Sequence, residues 1–277
     1  VVGSSPLKYD ASEAWATPGV ENVMGLRITG LASAFSPKGG VAVIASNTDA
    51  AIKGRDALNI EWGESPHSGY NSEAFTAEMR ATAKEPGQIL RAEGDTVAAF
   101  AGAAKTFSKE YSQAHMAHAM MEPPVAVANV TNGACEIWAP VQSPGDCRAH
   151  VAGALGMDPA NVKVNVTLLG GGFGRKSKHD FATEAAMLSK KIGAPVKVQW
   201  TREDDIQHSF YHTTSVERIE VALDAEDKVT GWRHNSVAPS ILSTFAPDSG
   251  HQFFIESGMG HLDMPFEIPN ISVENGK

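Results

Sequence analysis

The chain has 277 residues, 42% of them hydrophobic and 20% charged, and a formal net charge of −9. That length allows one large domain or two modest ones, and the composition is that of an ordered globular chain. No lysine- or arginine-rich stripe is present to neutralise phosphates and no run of about 18 apolar residues to span a bilayer, which argues against a nucleic-acid partner and a transmembrane helix.

Residues 1–62 mix short apolar runs with turn signals. Gly40 to Ala45 reads as a buried strand, Thr48 as the N-cap of a helix from Asp49 to about Leu58, and Ile60 to Trp62 as a short strand. This predicts a small α+β unit. Residues 63–104 open on loop chemistry, Gly63 to Gly69, and then predict helices near Ser72 to Ala83 and Thr96 to Ala104. They read as a connecting excursion.

From Lys105 onward a further unit is expected, spanning 105–277. Phe107 to Tyr111, Ala134 to Trp138, Val162 to Val166 and Val196 to Trp200 alternate or cluster as strands do. Asp146 to Leu155 and Phe181 to Ile192 are predicted helices, stopped by Gly156 and Gly193. Thr213 to Leu223 and Val229 to Ser236 predict a hairpin turning over Asp224 to Asp227, and Ile271 to Val273 a last strand. The chain starts at Val1 without an initiator Met, and we expect it to be a piece of a longer protein.

Glycine is the outlier of the composition, at 26 residues. Its densest run is Gly170-Gly171-Gly172-Phe173-Gly174-Arg175-Lys176, between a predicted strand and a predicted helix. Missing side chains let a ligand approach the backbone, and consecutive N–H groups can converge on an anion or oxo group beside the following helix N-terminus. A phosphate loop would need Gly directly before Lys176, although Ser177 is in place. A dinucleotide fingerprint starting at Gly170 would need Gly at 175. An anion or cofactor loop, a nucleotide loop over Gly170 to Ser177 and a structural turn all stay open.

His115, His118 and Glu122 have the composition of a two-histidine, one-carboxylate metal site, but Pro123 and Pro124 follow at once and argue against the helix that would align them. Trp138 to Pro144 reads as strand end, turn and helix start. Glu203, Asp204 and Asp205 read as a solvated turn or a helix N-terminus, and His208 and His212 as strand or loop residues rather than ligands. Cys135 and Cys147 are the two cysteines; they read as partly buried thiols, with a disulfide between them also allowed. Without a Cys-x-x-Cys the chain carries no zinc ribbon or iron–sulfur site of its own.

Four segments in this order, His118 to Pro123, Trp138 to Gln142, Gly170 to Lys176 and Trp200 to Asp205, resemble one family. It is the molybdenum-cofactor-binding large subunit of the xanthine oxidase and aldehyde oxidase type, nearest the branch of the isoquinoline 1-oxidoreductase β-subunit. The resemblance covers nearly the whole chain. It implies an α+β fold: part of an a/b hammerhead unit over 1–62, the connecting excursion over 63–104, and the first portion of the cofactor-binding domain over 105–277, with mixed sheets and packed helices.

For function the resemblance implies a molybdenum–pterin cofactor, in bacteria often as the cytosine dinucleotide. It implies a hydroxylase that oxidises an aldehyde or an N-heteroaromatic compound with water as the oxygen source. It also implies an iron–sulfur small subunit as electron acceptor and a bacterial periplasmic or cytoplasmic setting, of which the branch favours the periplasm slightly. The cofactor-binding residues it implies are Gly171, Gly172, Phe173, Gly174 and Arg175, with Phe173 at the active-site wall. No metal ligand is assigned within the chain. The family's general-base glutamate is expected downstream, so no catalytic residue is assigned either, and Glu122 reads as a structural carboxylate. Two positions depart from the pattern. Arg175 replaces a glycine of many members, and Met116 stands where many place a glutamine near the metal, with Gln113 the nearest glutamine. The isolated chain is expected to be incomplete and inactive. A nucleotide-binding protein and a non-catalytic scaffold are the other readings.

Overall fold

The structure is a computed structural model that describes residues 3–27, 36–244, 249–258 and 260–277. The chain runs through β1 (Pro6–Asp10), α1 (Ser12–Ala16), β2 (Val20–Leu26), β3 (Gly40–Ala45), α2 (Thr48–Asp56), β4 (Asn59–Trp62) and α3 (Ser72–Thr82). It continues with β5 (Gln88–Glu93), α4 (Thr96–Ala101), β6 (Lys105–Gln113), β7 (Val125–Thr131), β8 (Ala134–Ala139), α5 (Pro144–Leu155) and β9 (Val162–Val166). It ends with α6 (Asp180–Ile192), β10 (Val196–Gln199), α7 (Arg202–His208), β11 (Ser215–Leu223), β12 (Val229–Val237), α8 (Phe254–Ser257) and β13 (Ile271–Asn275). The α+β class with mixed sheets is as the sequence reading expects.

Two compact units form, and each is built from two separate stretches of chain. Residues 1–69 join 117–210, and residues 70–116 join 211–277. Part of the first stretch, residues 28–35, lies outside the described residues.

In the first unit a four-stranded sheet has the order β10-β7-β8-β9. Strands β8 and β9 are parallel, which requires a crossover, and α5 supplies it. Helix α6 packs on the same sheet through Phe181, Ala182, Ala185 and Ala186, all fully buried. Three alanines bring the helix axis close to the strands, and Phe181 fills the gap against Ile137 and Val151 in one core. Burying Phe181 alone is worth about 1.5–3 kcal/mol. Helix α6 stops at Gly193, whose φ of 71° is the left-handed conformation that glycine adopts without penalty. Two small antiparallel pairs, β1-β4 and β2-β3, complete this unit, with Leu26 packed near Leu188 and Val196. Cys135 and Cys147 are both buried and free, so no disulfide joins them.

The second unit is a five-stranded sheet of order β5-β13-β12-β11-β6. Its β11-β12 hairpin turns as expected. Asp224 Oδ1 accepts from the N–H groups of Glu226 and Lys228, and Asp227 takes the left-handed φ of 62° that Asp tolerates. Helix α3 packs Met79 and Ala83 on Val216 and Val237 of this sheet.

Local differences from the sequence reading follow capping chemistry. Helix α2 begins at Thr48 because Asn47, not Thr48, caps it by accepting from the Ala50 N–H at 2.9 Å. Glu203 to Asp205 lie in the first turn of α7, which Thr201 and Asp204 close as a capping box. Asp205 is buried there rather than solvated. Helix α6 starts at Asp180, one residue before the expected Phe181, and a tight 3₁₀ turn over Arg175–Ser177 separates it from the glycines. Among the described residues no helix in the chain is long and apolar enough to cross a membrane.

Candidate functional site

The glycine run follows β9 and lies wholly in the first unit. Its two ends are tied down by side chains from elsewhere in that unit. The Gly170 N–H donates to Glu122 Oε2 at 3.1 Å, and the Glu122 N–H returns a bond to Gly170 O at 3.0 Å. The Gly174 N–H donates to Gln142 Oε1 at 3.0 Å, and the Gln142 N–H donates to Lys176 O at 3.0 Å. Between these anchors, the N–H groups of Gly171, Gly172 and Phe173 meet no acceptor among the described residues. Three consecutive unpaired donors in a fixed loop are suited to an anionic or oxo-bearing ligand.

The missing side chains are a geometric necessity. A Cβ on Gly172 would stand 2.5 Å from Gln142 Oε1, and one on Gly170 would stand 2.5 Å from Glu122 Cβ. Gly171 and Gly174 have φ near +90°, where an L side chain is strained. Phe173 itself has a φ of 52°, and Ala119 in the facing segment has one of 43°. The other two non-glycine residues with positive φ among the described residues, Asn132 and Asp227, are of the turn-forming types that adopt it readily. Backbone held in a costly conformation is characteristic of binding sites. Phe173 is 66% exposed, so the loop presents an aromatic ring outward.

Behind the loop lies a layer of charge. Arg175 is completely buried: its guanidinium makes a two-pronged pair with Asp180 at 2.9 Å on each arm, and its Nε donates to Ser209 Oγ at 2.7 Å. The rings of Trp200 and Phe210 stack on it at 5.1 and 5.2 Å. Lys176 is buried too and pairs with Glu122. Arg202 of α7 reaches back to the carbonyls of Met120 and Met121 and is itself gripped by Asp205 at 2.6 Å. Burial raises the Asp205 carboxyl above its ordinary range, opposed by Arg202 and Arg175. Nearby, burial and then repulsion from Asp180 push the Glu184 carboxyl up to about 8; the Trp200 indole N–H donates to it at 3.3 Å.

The sequence-derived site residues divide accordingly. Gly171, Gly172 and Phe173 form the open stretch, and Gly174 is the anchor at its end, its N–H bonded to Gln142. The Arg175 side chain is wholly engaged within the protein, and its N–H donates to Gly172 O. It fixes the loop from behind. Lys176 is likewise engaged with Glu122, and Ser177 Oγ donates to Gly174 O, so neither is free for a nucleotide phosphate as a phosphate loop requires. The segment from His115 to Glu122 contains no helix. His115 Nδ1 lies 3.1 Å from His212 O in the second unit, and Glu122 holds Lys176 in the first. Met116 and Gln113 belong to the second unit. The glutamine on the loop is Gln142, which the sequence reading placed in a structural turn. Its Oε1 is used by Gly174, and its Nε2 has no acceptor among the described residues. Arg202, the clamp on Met120 and Met121, was equally missed.

A large group bearing oxo and phosphate oxygens fits these residues. The loop has no side chain where a Cβ would collide, it offers three unpaired N–H donors, and Gln142 adds a fourth.

Comparison with known proteins agrees. Residues 81–276 match the family model of the molybdopterin cofactor-binding domain. The chain is 33% identical over 204 residues to a membrane-bound aldehyde dehydrogenase (pyrroloquinoline-quinone) of Gluconacetobacter polyoxogenes, covering 73% of this chain and 26% of that protein. It is 28% identical over 258 residues to the isoquinoline 1-oxidoreductase subunit beta of Brevundimonas diminuta, covering 89% of this chain and 32% of that one. Its fold is similar to that of quinoline 2-oxidoreductase from Pseudomonas putida 86, with a TM-score of 0.69 and 20% identity over 99% of this chain and 39% of that one. The chain thus spans between 26% and 39% of the length of these proteins.

Proposed function

The chain belongs to the molybdopterin cofactor-binding domain family, and on that premise we propose that it is the part of a molybdenum hydroxylase large subunit that holds the cofactor through its glycine loop. The observation that carries this reading is the run of three unpaired N–H groups from Gly171 to Phe173, fixed at one end by Glu122 and at the other by Gln142. In this reading residues 1–62 are the later part of an a/b hammerhead unit, 63–104 a connection that also supplies α3 and β5 to the second unit, and 105–277 the first portion of the cofactor-binding domain, whose family match begins at residue 81.

When bound, the molybdenum–pterin cofactor would supply the oxidation of an aldehyde or N-heteroaromatic carbon, with water as oxygen source and an iron–sulfur subunit as electron acceptor. The residues of this chain bind and orient. The loop N–H groups and the Gln142 Nε2 donate to the cofactor's oxygens. Phe173 forms an apolar wall beside the substrate. Arg175 and Lys176 hold the loop in place from within, since preorganised donors cost no rearrangement when charge develops. Asp180, Glu122 and Asp205 are each committed to a cation, Glu184 lies behind the loop against the Trp200 indole, and we assign the general base to a part of the protein outside these residues.

The test is turnover. A full-length subunit carrying this chain, made with cofactor synthesis intact and with an iron–sulfur partner, is expected to reduce an artificial electron acceptor when given an aldehyde or an N-heteroaromatic. A molybdenum-loaded complex that reduces the acceptor with neither class would contradict the proposed activity.

A further inference from the structure

We propose that Glu217, His234 and His261 in the second unit bind a single zinc ion that ties the loop before β13 to the sheet. Glu217 stands on β11 and His234 on β12. In the hairpin register Glu217 faces Ser236 and His234 faces Ile219, so Glu217, His234 and Ser236 share one face of the sheet. It is the face opposite Val216 and Val237, which are covered by α3. Onto this face the loop lays His261, whose ring meets that of His234 edge-on at 4.5 Å.

The distances suit a shared ion. His234 Nε2 lies 2.9 Å from Glu217 Oε2, and His261 Nε2 lies 3.7 Å from the same oxygen. The second distance is too long for a hydrogen bond. Two atoms each bound tetrahedrally to one zinc stand about 3.4 Å apart, given metal–ligand bonds of about 2.0–2.1 Å. One ligand atom from each residue lies within 4.8 Å of the others, and this is the only such group of three among the described residues. Two imidazoles and one carboxylate are a zinc-binding set that leaves one position for water.

The surroundings are built to hold the ligands. Ser236 Oγ donates to the other carboxylate oxygen, Glu217 Oε1, at 3.2 Å, and Gln252 Nε2 donates to Ser236 Oγ at 3.1 Å. Such outer contacts orient ligating groups. His261 is fixed by its own loop: Asp263 Oδ1 accepts from the Gly260 N–H at 2.7 Å, and Arg91 of β5 donates to Leu262 O at 2.9 Å. None of these residues belongs to the glycine-loop site, and the proposal does not rest on the function proposed for that site.

The full chain, stripped of metal with a chelator and titrated with Zn²⁺ in a calorimeter, is expected to bind one equivalent. His261→Ala and Glu217→Gln should each weaken this by at least about tenfold while leaving the circular dichroism spectrum unchanged. Zinc should raise the unfolding midpoint of the native chain and not of either variant. Glu217→Gln preserves the shape of the site and its hydrogen-bond acceptor, so it reads out ligation rather than folding. No zinc binding by the native chain, or binding that survives both substitutions, would overturn the proposal.

Discussion

Arg175 stands in the glycine run, where a ligand-facing residue is expected, yet its side chain is fully buried between Asp180, Ser209 and two aromatic rings. A buried charge that loses its partner is far more costly than the pair itself is stabilising. Arg175→Met leaves Asp180 alone in the interior, and urea unfolding should show a loss of about 3–5 kcal/mol. The double variant Arg175→Met, Asp180→Leu removes both charges and should recover most of that loss; failure to recover would mean that Arg175 acts through packing alone. Glu184 makes a prediction about pH. Its carboxyl titrates at about 8 in the fold, against an ordinary 4.5. Between those values the folded chain holds a proton that the unfolded chain has released, so the stability present below about pH 4.5 is lost as pH rises toward about 8. Glu184→Gln keeps the neutral form at every pH. The midpoint difference between variant and native chain should grow in favour of the variant across that window, and a pH-independent difference would contradict the assignment.

At the scale of elements, the contrast between two glycines separates site from scaffold. Gly172→Ala would drive a Cβ against Gln142 and break its bond to Gly174, at a cost of about 1 kcal/mol from the lost hydrogen bond alone. Gly153 lies within α5 with open space around it, and Gly153→Ala should stabilise by about 0.5–1 kcal/mol. Opposite signs in thermal unfolding are the expected result; a stabilising Gly172→Ala would mean that the loop is not held as described. The regular elements here were legible in the sequence because their signals are local. Alternation marks β9 and β11, and the left-handed stops Gly156 and Gly193 close α5 and α6. Strands β1 and β5 were not legible, since their residues are mostly exposed and carry no apolar alternation, and β2 and the interior strand β7 were not read either. The glycine loop itself was legible, but its supports were not. Gln142 meets Gly174 across 32 residues and Arg202 meets Met120 across 82, and no periodicity encodes such contacts. The two-histidine, one-carboxylate composition sought near His115 occurs instead at Glu217, His234 and His261, assembled by strand register and a loop.

At the scale of the whole molecule, both compact units are woven from two stretches of chain, with crossings near residues 69 and 116 and again near 210. The linear order of the sequence therefore hides which segments share a core. The glycine loop, the segment around Met120, the turn bearing Gln142 and α7 are one assembly because all four fall in the first unit. This assembly is the proposed seat of the molybdenum–pterin cofactor. The most direct test is the metal content of a full-length subunit carrying this chain, purified from a host proven to make the cofactor and measured by inductively coupled plasma mass spectrometry. Molybdenum close to one atom per chain is the predicted result, and a folded subunit without molybdenum would contradict it.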